Sequence, residues 1–314
     1  MKRFVKKLLL LLLLFIGLHA VLLTVVPADR NQYLNEYNHK IELLRTIPSP
    51  RVIFIGGSNT AFALDSRQLE QTLHRRVVNF GLHAGIGIRY PMDDALLFLR
   101  QGDIVVLQIE FALFYGDTSN AETMPKLMAA TNWRNAADLT AAEWQTVAAG
   151  MPMMALGCLR RLLLFPARKS FNTPVPKERF SYAASGFNEY GDEVSHWTLP
   201  GSPYIPPGRT ETRPVSQKFI GWLQQELKAY EAKGVRVFIL PPTCVCSHFS
   251  KSYQAGIGQA LKQCGYPYAV QPSLLTLPDS MAFNTGYHLN RQGVKMATER
   301  IGMLLDSLLR GMNH

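Results

Sequence analysis

Ser58 is the strongest candidate nucleophile in the chain, because it directly follows a Gly-Gly turn at the end of an apolar run. Residues 52–55 are Val-Ile-Phe-Ile, which predicts a strand buried on both faces, as in the middle of a parallel sheet. Gly56 and Gly57 permit a tight turn where a Cβ would clash. Since ligands bind at the carboxyl edge of open α/β sheets, we expect the Ser58 hydroxyl to lie at that edge.

His288 is the best candidate for the base that Ser58 would need, because a serine hydroxyl is a poor nucleophile until its proton is removed. It stands in the stretch Phe-Asn-Thr-Gly-Tyr-His-Leu-Asn at residues 283–290, which leads into the last predicted helix. In a doubly wound sheet this loop can open on the edge that presents Ser58. Asn284 or Thr285 could accept a hydrogen bond from the other ring nitrogen and fix the ring.

Acyl chemistry also requires hydrogen-bond donors for the developing oxyanion, which backbone amides in tight turns supply. The predicted donors are the Ser58 amide and one amide of the glycine-rich stretch that contains Gly81 and Gly85. Two plainer interpretations stay open. A Gly-Gly-Ser turn can bind a phosphate at a helix N-terminus, and a histidine before a helix can be a hydrogen-bonded structural residue. The joint placement of Ser58 and His288 favours the catalytic interpretation.

The elements that would position these residues alternate between buried strands and amphipathic helices. Strands are predicted at residues 52–55, 76–80, 103–107 and 237–240, with a shorter one near 268–270. Helices are predicted from an Asp65-Ser66 cap, over 91–99, over 216–234, over 257–264 and from an Asn290 cap onward. This order predicts a three-layer α/β/α doubly wound parallel sheet.

Residues 113–215 interrupt the alternation and are predicted to be a large insertion. Helical pieces over about 139–164 precede a loop-rich stretch that carries the aromatic residues Phe180, Tyr182, Phe187, Tyr190, Trp197 and Tyr204. Two roles stay open for it: a substrate-facing cap, since long irregular insertions are usually functional, or a small satellite core filled by the aromatic rings.

The N-terminal residues predict a membrane anchor. Basic residues at positions 2, 3, 6 and 7 precede an apolar run over 8–26, close to the length of about 20 residues that crosses a bilayer as a helix. The positive-inside rule then places everything after Pro27 on the outer side of the membrane. A cleaved signal peptide is the alternative. The predicted organisation is an anchor at 1–27, a juxtamembrane segment at 28–50 and an α/β domain at 51–314.

Charge and cysteine content narrow the expected partners. The chain of 314 residues has a formal net charge of +10, and without the four basic residues before Leu8 the 29 Lys and Arg against 23 Asp and Glu leave +6. This mild excess suits an acidic glycan or lipid surface. No basic run with interleaved aromatic residues indicates nucleic-acid binding. In an oxidising compartment Cys264 would form a disulfide with Cys244 or Cys246. A metal site that adds His248 to these cysteines is an alternative that lacks the usual Cys-x-x-Cys pairing.

Three stretches resemble sequence blocks of the SGNH/GDSL hydrolase superfamily. Residues 56–59 (Gly-Gly-Ser-Asn) are similar to its nucleophile block, and residues 79–85 are similar to the block that lends an oxyanion amide. Residues 284–290 (Asn-Thr-Gly-Tyr-His-Leu-Asn) are similar to the block with the catalytic histidine. The resemblance covers residues 52–107 and 237–309 and leaves the insertion unmatched.

The chain departs from this superfamily at two positions. The third block normally carries an asparagine oxyanion donor, whereas the strand end here reads Gln-Ile-Glu-Phe at 108–111, with Gln108 the candidate replacement. The aspartate that normally stands three residues before the histidine is replaced by Thr285. Asn284, with its longer reach, is therefore expected to orient His288. A neutral partner stabilises imidazolium less than a carboxylate does, which implies a slower catalyst or a site that binds without turnover.

Within the superfamily, the chain is most similar to the membrane-anchored branch that includes the D-alanyl transfer protein of teichoic-acid synthesis and the alginate O-acetylation proteins. The resemblance implies a serine esterase or O-acyltransferase that acts on acetyl or other acyl esters of a cell-surface polysaccharide. It also implies a membrane-bound O-acyltransferase as partner, with a catalytically silent partner role as the alternative. No cofactor is expected. The residues expected to contact substrate are Asn59, His83, Gln108, Glu110 and Tyr287.

Overall fold

The computed structural model describes residues 2–25, 31–116, 141–164, 182–202, 204–205, 213–248 and 251–311. Within them the chain is an α/β protein built on a parallel sheet of four strands. The strands are β1 (Arg51–Gly56), β2 (Arg76–Asn79), β3 (Ile104–Gln108) and β4 (Arg236–Ile239), in the order β2-β1-β3-β4. A separate parallel pair consists of β5 (Cys244–Val245) and β6 (Thr276–Leu277).

The described helices are numbered in chain order. They are α1 (Lys2–Val25), α2 (Glu36–Thr46), α3 (Ser58–Ala61), α4 (Ser66–Leu73), α5 (Arg89–Phe98), α6 (Ala141–Leu164), α7 (Gln217–Ala232), α8 (Lys251–Gln263) and α9 (Arg291–Gly311). The predicted caps are confirmed. Asp65 Oδ1 accepts from the Gln68 amide (3.2 Å), and Asn290 Oδ1 accepts from the Gly293 amide (3.0 Å).

Helices cover both faces of the sheet, because successive side chains of a strand point to opposite sides. Val52 and Phe54 of β1 pack in one core cluster with residues of α4 and α9, whereas Ile53 and Ile55 pack in another with residues of α5 and α7. All four side chains are fully buried. The apolar run that predicted a strand covered on both faces is therefore confirmed.

The strand expected near residues 268–270 is reduced to a single bridge at the edge of the sheet. Tyr268 pairs with Ile239 in the parallel sense, and the Ala269 amide donates to the Ile239 carbonyl (2.8 Å). Pro267 and Pro272 flank this stretch. Since proline cannot donate to a strand ladder, the pairing is confined to the few residues between them.

Residues 36–46, part of the segment predicted as juxtamembrane, form the helix α2 and pack into the domain core. Tyr37 and Leu44 are buried, and the Tyr37 hydroxyl donates to Asp94 Oδ2 (2.8 Å). The buried guanidinium of Arg51 donates to the carbonyls of Leu44 (2.7 Å) and Ile47 (2.6 Å) at the end of α2. These contacts fix α2 against the start of β1, so this part of the segment predicted at 28–50 belongs to the α/β domain.

The end of the insertion, residues 182–199, lies against the sheet and α4. Asp192 is fully buried and accepts hydrogen bonds from the Ser66 amide (2.8 Å), the Ser66 hydroxyl (2.6 Å) and Asn79 Nδ2 (2.8 Å). The buried ammonium of Lys40 donates to the carbonyls of Asn79 (2.8 Å) and Gly191. This segment is part of the core, and Phe180 lies outside the described residues.

Two further expectations concern the membrane and the cysteines. No helix in the described part of the chain combines the length and the apolarity needed to cross a membrane, so the anchor stays a prediction. The expected disulfide is wrong, because Cys158, Cys244, Cys246 and Cys264 are all free thiols. The Cys264 thiol donates instead to the Leu261 carbonyl (3.2 Å) within its own helix end.

We expect Gly191→Ala to destabilise the protein more than its matched control Gly265→Ala. Both glycines have φ near +90°, so each alanine costs about 1–2 kcal/mol of backbone strain. A Cβ at Gly191 would also overlap the Asn79 carbonyl oxygen, whereas a Cβ at Gly265 meets open space. The overlap should add about 1–3 kcal/mol. The measurement is the free energy of unfolding from urea titrations, and equal losses in the two variants would contradict the packing described for residues 182–199.

Candidate active site

Ser58 lies at the carboxyl end of β1, where two glycines bring the backbone against the end of β3. A Cβ at Gly56 would lie 2.7 Å from the Gln108 carbonyl oxygen, and a Cβ at Gly57 would lie 2.7 Å from Glu110 Oε1. Both distances are shorter than a real Cβ tolerates. The turn therefore depends on glycine at both positions, and it leaves Ser58 half-buried at the first position of α3.

Asn59 and Gln108 hold this turn in place by buried hydrogen bonds, which corrects the expectation that they contact substrate. Asn59 Oδ1 accepts from the Gly57 amide (3.0 Å), and its Nδ2 donates to the Gln108 carbonyl (2.9 Å). Gln108 Nε2 donates to Thr243 Oγ1 (3.3 Å). Both side chains are fully buried. They hold the ends of β1 and β3 together and have no surface to offer a ligand.

His288 lies on the same edge, in the loop before α9. Its Nδ1 is 2.8 Å from Asn284 Oδ1, and Asn284 Nδ2 donates in turn to the Tyr182 hydroxyl (3.5 Å). Because an amide oxygen only accepts, the first contact assigns the proton to Nδ1 and leaves Nε2 as the basic nitrogen. Thr285 does not hold the ring, since its Oγ1 accepts from the backbone amides of Tyr287 (3.2 Å) and His288 (3.1 Å).

Burial keeps the His288 ring neutral. The side chain is almost wholly enclosed, and its ring stacks on Phe62 with centroids 4.1 Å apart. Desolvation lowers the pKa of His288 from 6.5 to about 3, and the nearby rings of His196 and His83 act in the same direction. The ring is therefore neutral over the physiological range and is a weak base in the absence of substrate.

Ser58 and His288 make no hydrogen bond with each other in the described structure, although both lie beside Phe62. The Phe62 amide donates to the Ser58 carbonyl (2.9 Å), so Phe62, whose ring stacks on His288, lies one turn after Ser58. The Ser58 hydroxyl instead lies close enough to the Glu110 carboxyl to lower the pKa of that carboxyl.

Glu110 is a buried carboxyl directly behind the candidate nucleophile. Its Oε1 also accepts from the Asn59 amide (3.4 Å). Burial raises the pKa of Glu110 from 4.5 to about 7, against the opposite effect of the hydrogen bonds from the Asn59 amide and the Ser58 hydroxyl. The sequence identified Glu110 only as a substrate contact. Its raised pKa and its approach to Ser58 follow from burial, which no local pattern reveals.

The two glycine amides expected to bind an oxyanion are already engaged. The Gly85 amide donates to His83 Nδ1 (2.8 Å), and the Gly81 amide donates to Asn79 Oδ1 (3.0 Å). In each case the acceptor stands two residues earlier, as in an Asx-type turn. Both glycines therefore shape the loop after β2, and the Ser58 amide is the predicted donor that makes no hydrogen bond to another described residue.

His83 and Tyr287, two of the expected substrate contacts, are half-buried beside the site. The His83 ring packs edge-on against Tyr33 (centroids 6.1 Å apart), and the Tyr287 ring lies 6.4 Å from Phe111. Tyr182 adds a rim residue that the sequence did not single out as a site residue. Its ring is 46% exposed and lies 6.3 Å from the His288 ring.

The insertion also supplies a buried pair, His196 and Glu193, that the sequence did not assign to the site. His196 Nδ1 contacts the Glu193 carboxylate, and Nε2 lies 2.8 Å from the Leu289 carbonyl oxygen. The His196 ring is 5.0 Å from Phe62. His196 therefore packs beside the Phe62 ring, on which His288 stacks. These residues are distant in sequence, and only the fold brings them together.

No group of three or more His, Cys, Asp or Glu side chains in the described ranges is arranged to hold a metal ion. The comparisons with known proteins add no assignment, since no family model, curated protein or solved structure matches the chain. The chemistry of this edge must therefore be argued from its own residues.

We expect Asn284→Asp to raise the pKa of His288 by roughly 1–3 pH units, because a carboxylate next to Nδ1 favours the imidazolium. Titration of the imidazole resonances by NMR in histidine-labelled protein measures this directly. Thr285→Val is the matched control, since that hydroxyl contacts backbone amides and not the ring, and it should leave the His288 pKa where it is. A His288 titration unmoved by Asn284→Asp would refute the assigned contact.

We expect Glu110→Gln to remove the contribution by which Glu110 lowers the free energy of unfolding as pH rises from about 4.5 to 7. The lowered pKa of His288 contributes in the opposite sense over part of this range, so the effect is the difference between wild type and variant. The folded-state pKa of Glu110 is raised to about 7 from 4.5, so the unfolded state releases the proton first and folding loses stability as pH rises through this range. The free energy of unfolding at pH 4.5, 6 and 8 tests it. Glu42→Gln, which alters an exposed carboxyl, should keep the wild-type dependence of stability on pH, and the same dependence in Glu110→Gln would disprove the burial effect.

Proposed function

We propose that the chain is a serine esterase or O-acyltransferase of the SGNH type, with Ser58 as nucleophile and His288 as base. The observation that carries the proposal is the convergence at one edge of the sheet. Ser58 opens the turn after the central strand β1, and the Asn284-bound ring of His288 stacks on Phe62, one turn from Ser58. The strand order β2-β1-β3-β4 with helices on both faces supports the finer assignment to an SGNH-like fold.

In the proposed reaction, Ser58 Oγ attacks the carbonyl carbon of an acyl ester while its proton passes to His288 Nε2. A bond forms between Oγ and carbon, and the carbonyl electron pair moves to oxygen to give the oxyanion. Collapse of this intermediate breaks the bond to the leaving alkoxide, which takes the proton from His288, and leaves Ser58 acylated. Water completes hydrolysis by the same steps, and a sugar hydroxyl completes transfer.

The Asn284 contact supports the role of His288, since it places the proton on Nδ1 and the lone pair on Nε2. Asn284 thereby acts as the orienting residue. It cannot neutralise the imidazolium that forms during the reaction, which is consistent with slow turnover. The Ser58 amide, at the start of α3, is the first oxyanion donor of the proposed site.

The substrate class and the location are proposed from the sequence. The apolar run at 8–26 preceded by basic residues supports an anchored protein whose domain faces the periplasm, and the formal charge of +6 that remains without those four basic residues suits an acidic polymer. With the resemblance to the membrane-anchored SGNH branch, this favours acetyl esters of a cell-surface polysaccharide as substrate. A membrane-bound O-acyltransferase is the proposed partner.

A second candidate function is a catalytically silent partner of such an acyltransferase. One observation favours it: the Ser58 hydroxyl interacts with Glu110 and makes no hydrogen bond to His288 within the described residues. In that case the edge would bind an acylated chain without turnover, and Ser58 would be dispensable for acylation of the polymer.

We expect a fluorescent fluorophosphonate to label the full chain at Ser58 and nowhere else. Ser58→Ala should reduce labelling to background, and His288→Ala should slow it by about 100-fold or more, the usual contribution of a general base. Ser273→Ala, which alters an exposed serine remote from the site, is the control and should label at the wild-type rate.

Equal labelling of wild type, Ser58→Ala and His288→Ala would refute the enzyme proposal. Polymer acylation in cells then separates the candidates. Retained acylation with Ser58→Ala supports the silent partner, and lost acylation with a folded Ser58→Ala variant supports the acyltransferase.

A further inference from the structure

Glu110 is an ionisable side chain packed against the turn that carries the proposed nucleophile. Its Oε1 lies 3.4 Å from the Asn59 amide and occupies the space that a Cβ on Gly57 would need, close enough to the Ser58 hydroxyl to interact with it. An oxyanion held by the Ser58 amide would develop beside this same stretch of backbone. The state of the Glu110 carboxyl must therefore influence the reaction.

An ionised Glu110 opposes acyl transfer in two ways. A carboxylate only accepts hydrogen bonds, so it holds the Ser58 proton and directs the hydroxyl away from His288. It also places a full negative charge beside the position where the oxyanion forms, in a site from which water is largely excluded. Like charges at such separations repel strongly when they are screened by protein instead of water.

A protonated Glu110 reverses both effects. Its hydroxyl can donate a hydrogen bond to the oxyanion, and a neutral carboxylic acid in an apolar site is an effective donor of this kind. A second donor is needed here, because the Gly81 and Gly85 amides are engaged by Asn79 and His83. The Glu110 carboxyl is the ionisable group that lies next to the backbone of the Ser58 turn, with Oε1 3.4 Å from the Asn59 amide.

The groups that face Glu110 favour the neutral form. Tyr33, from the turn before α2, has a pKa raised well above 10 by burial, with a contribution from Glu110 itself, so it stays uncharged. His288 across the edge is neutral. The contributions to the pKa of Glu110 are burial and the hydrogen bonds from Ser58 and Asn59, with no cation of the described residues among them.

We propose that protonated Glu110 is the second oxyanion donor of this site, and that acyl transfer stops as Glu110 ionises. The proposal rests on the serine chemistry proposed above and deepens it, because it assigns a catalytic role and a pH dependence to a residue of the same edge. His288 must be unprotonated and Glu110 protonated for the reaction to proceed. With pKa values of about 3 and about 7, the active range lies between them and activity falls on the alkaline side.

The test is the second-order rate of fluorophosphonate labelling of the full chain between pH 5 and 9 at constant ionic strength. The phosphoryl oxygen of the probe develops charge as an acyl oxygen does when Ser58 displaces fluoride. The wild-type rate should fall about tenfold per pH unit above pH 7, as one ionisation requires. Glu110→Gln, whose amide donates at every pH, should show no fall and should react at least tenfold faster than wild type at pH 9.

Glu226→Gln is the matched control, because Glu226 is another carboxyl whose pKa is raised by burial, and it lies on α7 away from the site. It should keep the wild-type profile. A wild-type rate that rises through pH 7, with labelling abolished in Glu110→Gln, overturns the proposal and makes Glu110 a base. A wild-type profile without an alkaline fall overturns it independently of any variant. If labelling is independent of Ser58 at every pH, the proposed function itself fails, and the proposed role of Glu110 fails with it.

Discussion

The candidate site depends on the close approach of the turn after β1 to the end of β3. Gly57 has no side chain, and the Glu110 carboxyl occupies the space that a Cβ would need. Asn59 joins the two strand ends by bonding the Gly57 amide and the Gln108 carbonyl. Because this brace is sealed from solvent, the position of Ser58 is set by the packing of the sheet and not by a mobile loop.

The insertion imposes a second constraint, on the packing around Phe62. Asp192 anchors it to Ser66 and Asn79, and the adjacent Glu193–His196 pair packs beside Phe62, the ring on which His288 stacks. A segment far from the sheet in sequence thus fixes the wall that aligns the imidazole. Burying a carboxylate such as Asp192 is costly unless it is fully hydrogen-bonded, and its several donors satisfy that requirement.

Local patterns predicted the strands, the helix caps and the Ser58 turn, because these depend on residues close in sequence. The packing of residues 182–199 could not be predicted, since Asp192 finds its partners far along the chain and no periodicity marks them. The hydrogen bond from the Gly85 amide to His83 Nδ1 could have been predicted, because a side-chain acceptor two residues before a glycine is a common feature of turns. The expected disulfide failed because cysteine content predicts pairing only where the backbone brings the sulfur atoms together.

Burial moves the pKa values of the two titratable groups of the site in opposite directions, and in each case it favours the neutral form. It disfavours the imidazolium of His288 and the carboxylate of Glu110 alike, so one pKa falls and the other rises. A site of this kind has no permanent charge to attract an ionic substrate, but it suits a neutral acyl ester whose charge develops only in the transition state. An aspartate beside the histidine would raise the pKa of the ring and add a negative charge to the site. Asn284 adds no charge, at the expense of a weaker base, and in the proposed reaction the protonation of Glu110 is then the property that decides the rate.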